Sequence, residues 1–198
     1  MKNRRAHGVR TARAAQSEIR AVLNALSETP KQIARIVRGC SNQQLHRRPD
    51  ADAWSAQEIV AHLRACAEVW GRSIDRMLAE DHPTIRYVSP RGWIKKTNYL
   101  QISFGDTQRA FSQRRVVLVT TLSTLSASDW TRGATFTATT LGRKATVLSY
   151  ATRIAEHENK HCGQIEEVLK LASAPRAGVQ RIARASVRRN SSAPSRAR

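Results

Sequence analysis

The sequence predicts an all-α protein, a four-helix bundle with a long connection between its second and third helices. Three observations carry that prediction. Apolar residues recur at spacings of three and four in four separate stretches, no stretch repeats the alternation of strands, and the strong charge is confined to the ends. Of the net charge of +19, twelve charges fall in residues 1–16 and 173–198, which hold five and seven basic side chains and no acid. Residues 17–172 are then an ordinary, mildly basic globular segment. We expect a basic disordered N-terminal segment at 1–16, a bundle domain at 17–172 and an Arg-rich disordered tail at 173–198.

The first helix is expected from about Ser17, through Thr29-Pro30, to Cys40. Ile33, Ile36, Val37 and Cys40 mark its stripe, and a kink is expected at Pro30. The polar run SNQQLHRRPDADAW ends it. Ser55 and Glu58 then form an S-x-x-E capping box ahead of a second helix, Ala56 to Leu78. Its stripe is Ile59, Leu63, Cys66, Trp70, Ile74 and Met77. Residues 80–103 carry two prolines and read as the long connection. A third helix runs from Asp106 to Leu125, with Phe111, Leu118, Leu122 and Leu125 inward. The Ser/Thr/Gly-rich stretch SASDWTRGATFTATTLGRKA reads as loop. The fourth helix, Thr146 to Leu171, places Ile154, His157, His161, Ile165 and Val168 on one stripe.

Composition narrows the function classes. The three cysteines, Cys40, Cys66 and Cys162, form no CxxC pair, which argues against a disulfide framework and fits a reducing compartment. The longest strongly apolar run, Val116 to Val119, is too short for a bilayer span, and no apolar segment follows the basic start. No membrane association and a cytoplasmic location are expected.

The chemistry sits in the histidines. His157 and His161, spaced i, i+4, lie on one helix face with Cβ atoms about 5–6 Å apart. That spacing suits two imidazoles meeting one ion at about 2.0–2.1 Å. Both are on the apolar stripe, where unpaired imidazoles cost about 1–3 kcal/mol each. His62 stands on the apolar stripe of the second helix, in phase with Ile59 and Cys66. Three histidines from two facing helices supply three ligands and leave one position for water or substrate. Spacing alone leaves open a set of hydrogen-bonded core histidines. His7, His46 and His82 lie in polar surroundings and are not candidates.

The string HENKH also satisfies H-E-x-x-H, the metalloprotease pattern with Glu158 as general base. Position 164 is Gln where the longer form of that motif has Gly, and no His follows His161. A third ligand downstream is missing. Glu158 stays a candidate catalytic base beside the site, with a solvated helix-face Glu as the alternative. Gln164 is a candidate pocket residue. Cys66 is within reach of His62, or is simply a small buried apolar side chain.

With these residues in view the chain resembles the DinB superfamily of bacterial four-helix-bundle proteins. The resemblance rests on WSAQEIVAHLRACAEVW, Trp54 to Trp70, and on IAEHENKHCGQIEEVL, Ile154 to Leu169. Between them, LSTLSASDWTRG is similar to the segment linking the third helix to the last. The likeness covers about residues 17–172. It implies one divalent ion, nickel or zinc, on His62, His157 and His161. It also implies a small-molecule substrate and activation of water or a low-molecular-weight thiol, as in the family's thiol transferases. A further loop histidine found in some members is absent from GATFTATT. Two function classes follow: a metal-dependent transferase or hydrolase, and a non-enzymatic module whose basic tails bind nucleic acid through phosphate attraction alone. A homodimer is the expected assembly if the bundle leaves an apolar side exposed.

Overall fold

The computed structural model describes the backbone of residues 2–138 and 144–173, with side chains from residue 13 onward within those spans. Four long helices form the frame: α1 (Lys2–Ile36), α3 (Ala56–Ala79), α5 (Phe104–Ser123) and α7 (Val147–Ser173). Short helices α2 (Asn42–His46), α4 (Pro90–Ile94) and α6 (Ala127–Thr131) lie in the connections. Helix α1 packs on α5 and α7, and α3 packs on the same two. Consecutive long helices α1 and α3 therefore stand diagonally, and it is α7 that lies beside α3. This arrangement decides which side chains meet.

Helix α3 starts where the sequence places it. Ser55 Oγ accepts from Glu58 N at 3.3 Å, and Ser55 N donates to Glu58 Oε2 at 2.9 Å. Arg48 adds an ion pair to the same carboxylate. Its other end is held by Arg132, which donates to the carbonyls of Met77 and Glu80 at 2.9 and 2.8 Å. These contacts satisfy acceptors that a helix terminus leaves free.

Four expectations change. Helix α1 begins at Lys2, so the basic head continues the helix, as its Ala and Arg content favours. It runs through Pro30 and ends at Ile36, four residues before Cys40, with Gly39 turning the chain at φ +78. The polar run after it contains α2, capped by Ser41 and Gln44. The segments read as pure connection also hold strands β1 (Thr84–Arg86), β2 (Gly133–Thr137) and β3 (Lys144–Thr146). They form a sheet of order β1-β2-β3, with β1 parallel and β3 antiparallel to β2. Gly133 is required there, because a Cβ would stand 2.9 Å from Ala145 O. Ile85, Ala134 and Phe136 turn inward and seal one end of the bundle. The expected disorder of the Arg-rich tail falls, beyond Ser173, outside the described residues.

The core has two main layers along the bundle. One gathers Trp70, Ile74, Leu118, Leu122, Val147 and Ile154 beneath the sheet. The other gathers Ile33, Ile59, Leu63, Phe111, Ile165 and Val168 toward the opposite end. Residues 62–66 of α3 and 157–161 of α7 lie at the level where the two layers meet. No described helix is long and apolar enough to cross a membrane.

Candidate metal centre

Adjacency of α3 and α7 brings the three predicted histidines together. His157 Nε2 lies 3.4 Å from His62 Nε2 and 3.2 Å from His161 Nε2. The ring centroids are 4.4 to 5.3 Å apart. Donors held tetrahedrally at about 2.0–2.1 Å from one ion stand about 3.3–3.4 Å from one another. The two observed separations are edges of that size.

Hydrogen bonding among the imidazoles does not account for the cluster. A neutral ring nitrogen offers one proton or one lone pair, so His157 Nε2 cannot satisfy both neighbours. His161 Nδ1 lies 2.8 Å from Gln164 Oε1 and donates its proton there. Its Nε2 is then a lone pair aimed at His157. Gln164 thus fixes the tautomer a ligand needs. Among the described residues His157 Nδ1, though buried, has no such partner.

The surroundings keep the three rings neutral. Burial pushes His62 down to about 4 and His157 down to about 3, and it lowers His161 as well. Proximity of the other imidazoles adds to this for His62 and His157. Trp54, just before the α3 cap, has its ring centroid 5.2 Å from His62 and stacks near His161 at 6.5 Å. Trp70 meets His157 edge-on at 4.7 Å. The guanidinium of Arg91, on α4, stands 4.8 Å over Trp54 and bears on His62 and His161 electrostatically. Neutral imidazoles between indole walls, with a cation at the rim, are chemically suited to holding a metal ion.

Glu158 is placed differently from either sequence reading. It is fully buried, so it is no solvated face residue, and its Oε1 accepts from Arg115 Nε at 2.6 Å. Nothing among the described residues joins it to an imidazole. Burial raises its pKa against the pull of Arg115. A base in an H-E-x-x-H site has to face the metal's open side, and Glu158 faces α5 instead. Sequence reasoning also passed over Arg115, although it stands in phase between Phe111 and Leu118 on the inner stripe of α5. Cys66 does reach the site: its Sγ is 3.4 Å from His62 Nε2. The donor atoms of His62, Cys66 and His157 all lie within 4.8 Å of one another. His46 and His82 lie apart, exposed or bonded locally.

Fold and site together define a helical bundle with a candidate mononuclear metal centre between two neighbouring helices. The chain belongs to the DinB superfamily, whose family model matches residues 25–165. Among solved structures it is similar to YfiT from Bacillus subtilis, described as a probable metal-dependent hydrolase with an unusual four-helix bundle topology. The TM-score is 0.69 and the identity 17%, covering 77% of this chain and 86% of YfiT. That likeness establishes the fold. No curated protein matches the sequence.

Proposed function

We propose that this protein is a metal-dependent hydrolase or transferase of a small molecule, with one nickel or zinc ion held by His62, His157 and His161. The observation that carries the reading is that His157 Nε2 stands at tetrahedral-edge distances, 3.4 and 3.2 Å, from the Nε2 atoms of His62 and His161, with Gln164 fixing one lone pair inward. When bound, a divalent ion of this kind supplies Lewis acidity and lowers the pKa of a coordinated water or thiol. The chain's own residues do the rest. Trp54 and Trp70 exclude bulk water from the imidazoles, and Arg91 is placed to hold an anionic group of the substrate at the rim. A low-molecular-weight thiol, which commonly carries a carboxylate, fits that rim as cosubstrate. Glu158 and Arg115 act as positioning residues, fixing α7 against α5 so that His157 and His161 present to α3.

The test is metal content. Protein loaded with excess zinc or nickel and then desalted should retain about one equivalent. His62→Ala, His157→Ala and His161→Ala should each bind far more weakly, while His46→Ala and His82→Ala should not differ from wild type. Wild-type protein retaining well under one equivalent would remove the site. Normal content in His62→Ala would reduce it to the pair on α7. Hydrolytic and thiol-conjugation screens on the loaded protein then separate the two reaction classes.

A further inference from the structure

We propose that Cys66 supplies a thiolate as a fourth protein ligand, so that the resting centre is three imidazoles and one sulfur rather than three imidazoles and an open position. The proposal rests on the three-histidine reading and adds one donor to it. Its basis is placement. Cys66 follows His62 by four residues, one turn along α3, so both side chains leave the helix on the face turned to α7. Sulfur and nitrogen ligands at about 2.3 and 2.0–2.1 Å in a tetrahedron stand about 3.5 Å apart. Cys66 Sγ lies 3.4 Å from His62 Nε2 and 3.9 Å from Nδ1, beside the ring, so the imidazole has to turn its lone pair toward the sulfur for both to reach one ion. The ligand atoms of His62, Cys66 and His157 already lie within 4.8 Å of one another.

The other two cysteines show what a packing cysteine looks like here. Cys40 is half-buried, with its Sγ 4.0 Å from Ile36 O, and Cys162 lies fully buried in the lower core layer. Neither belongs to the His62–Cys66–His157 donor group. Cys66 is as buried as Cys162 and belongs to the other core layer, but its sulfur lies against the His62 ring, 3.4 and 3.9 Å from the two ring nitrogens.

Charge gives the physical reason for a thiolate. Three neutral imidazoles leave a dication with its full charge between two tryptophans, and burying uncompensated charge is costly. Loss of the Sγ proton to solvent and formation of a sulfur–metal bond halve that charge. The deprotonation accompanies metal binding and involves no redox change. A thiolate also biases the site toward zinc, nickel or cobalt and away from magnesium and calcium. With four protein donors the resting site is closed, and substrate enters as a fifth ligand or by displacing the sulfur.

Cobalt(II) tests this on the full-length protein, stripped with chelator and titrated with the metal. The wild type should take up about one equivalent and show a sulfur-to-cobalt charge-transfer absorption in the near ultraviolet. Cys40→Ser and Cys162→Ser should keep that absorption, and Cys66→Ser should bind cobalt without it. Cobalt uptake by the wild type with no such band, or a band that persists in Cys66→Ser, overturns the proposal and leaves the three histidines intact. Metal-edge X-ray absorption of zinc-loaded wild type gives the answer without any variant. One sulfur at about 2.3 Å supports the ligand, and a shell of nitrogen and oxygen alone overturns it. A wild type that takes up neither cobalt nor zinc removes the three-histidine reading and this proposal with it.

Discussion

Replacing Glu158 by Gln should destabilise the metal-free protein severely, and the size of the effect follows from burial. Glu158 is fully buried and Arg115 is 1% exposed, so neither charge has water to fall back on. Their contact at 2.6 Å joins α7 to α5 across the bundle. Removing the carboxylate charge strands a guanidinium that already has one unpartnered nitrogen, Nη2. Breaking a buried pair from one side costs about 3–5 kcal/mol. At a urea dependence of about 2 kcal/mol per molar, the unfolding midpoint should fall by roughly 1.5–2.5 M. The double variant Arg115→Met with Glu158→Leu removes both charges at similar volume and should recover most of that loss. The assay is urea unfolding followed by circular dichroism with chelator present. A Glu158→Gln midpoint within about 0.5 M of wild type, with an unchanged slope, would refute the buried-pair argument. It would return Glu158 to the set of candidate bases.

Gln164→Ala should weaken zinc binding about 10–100-fold through loss of the His161 orienting contact, with little change in stability; an unchanged zinc affinity by competition titration counts against the tautomer argument. In the metal-free protein His62 and His157 titrate near 4 and 3 instead of 6.5. Between those values the unfolded chain holds protons that the folded one excludes, so stability should fall as pH drops from about 6.5 toward 4 and stay flat on this account above 7. Urea midpoints measured across that range, with His62→Ala showing a shallower fall, check the sign. Gly133→Ala should lower stability by about 1–3 kcal/mol, because the new methyl meets a β3 carbonyl at 2.9 Å. Its metal content should be normal, since the sheet lies away from the histidines; a thermal melt equal to wild type would show that β2 and β3 yield freely.

How much of this was legible in the residues differs by kind of interaction. The order of apolar and polar residues determined four long helices, the Ser55–Glu58 start of α3 and the inward phase of His62, His157 and His161. Those are local facts, fixed by a period of 3.6 residues and by hydrogen bonds three residues apart. The short strands escaped, because segments of three to five residues carry too little period, and β1 owes its pairing to a partner about fifty residues away. Residue spacing could not say which helix neighbours which. Only the tertiary structure set α1 diagonal to α3 and α7 beside it, because that choice depends on burying four stripes at once. From it follow the meeting of His62 with the α7 pair, the arrival of the Cys66 sulfur at the same point, and the withdrawal of Glu158 into a pair with Arg115. A histidine's phase on its helix is written in sequence; what it faces depends on packing between segments about ninety-five residues apart.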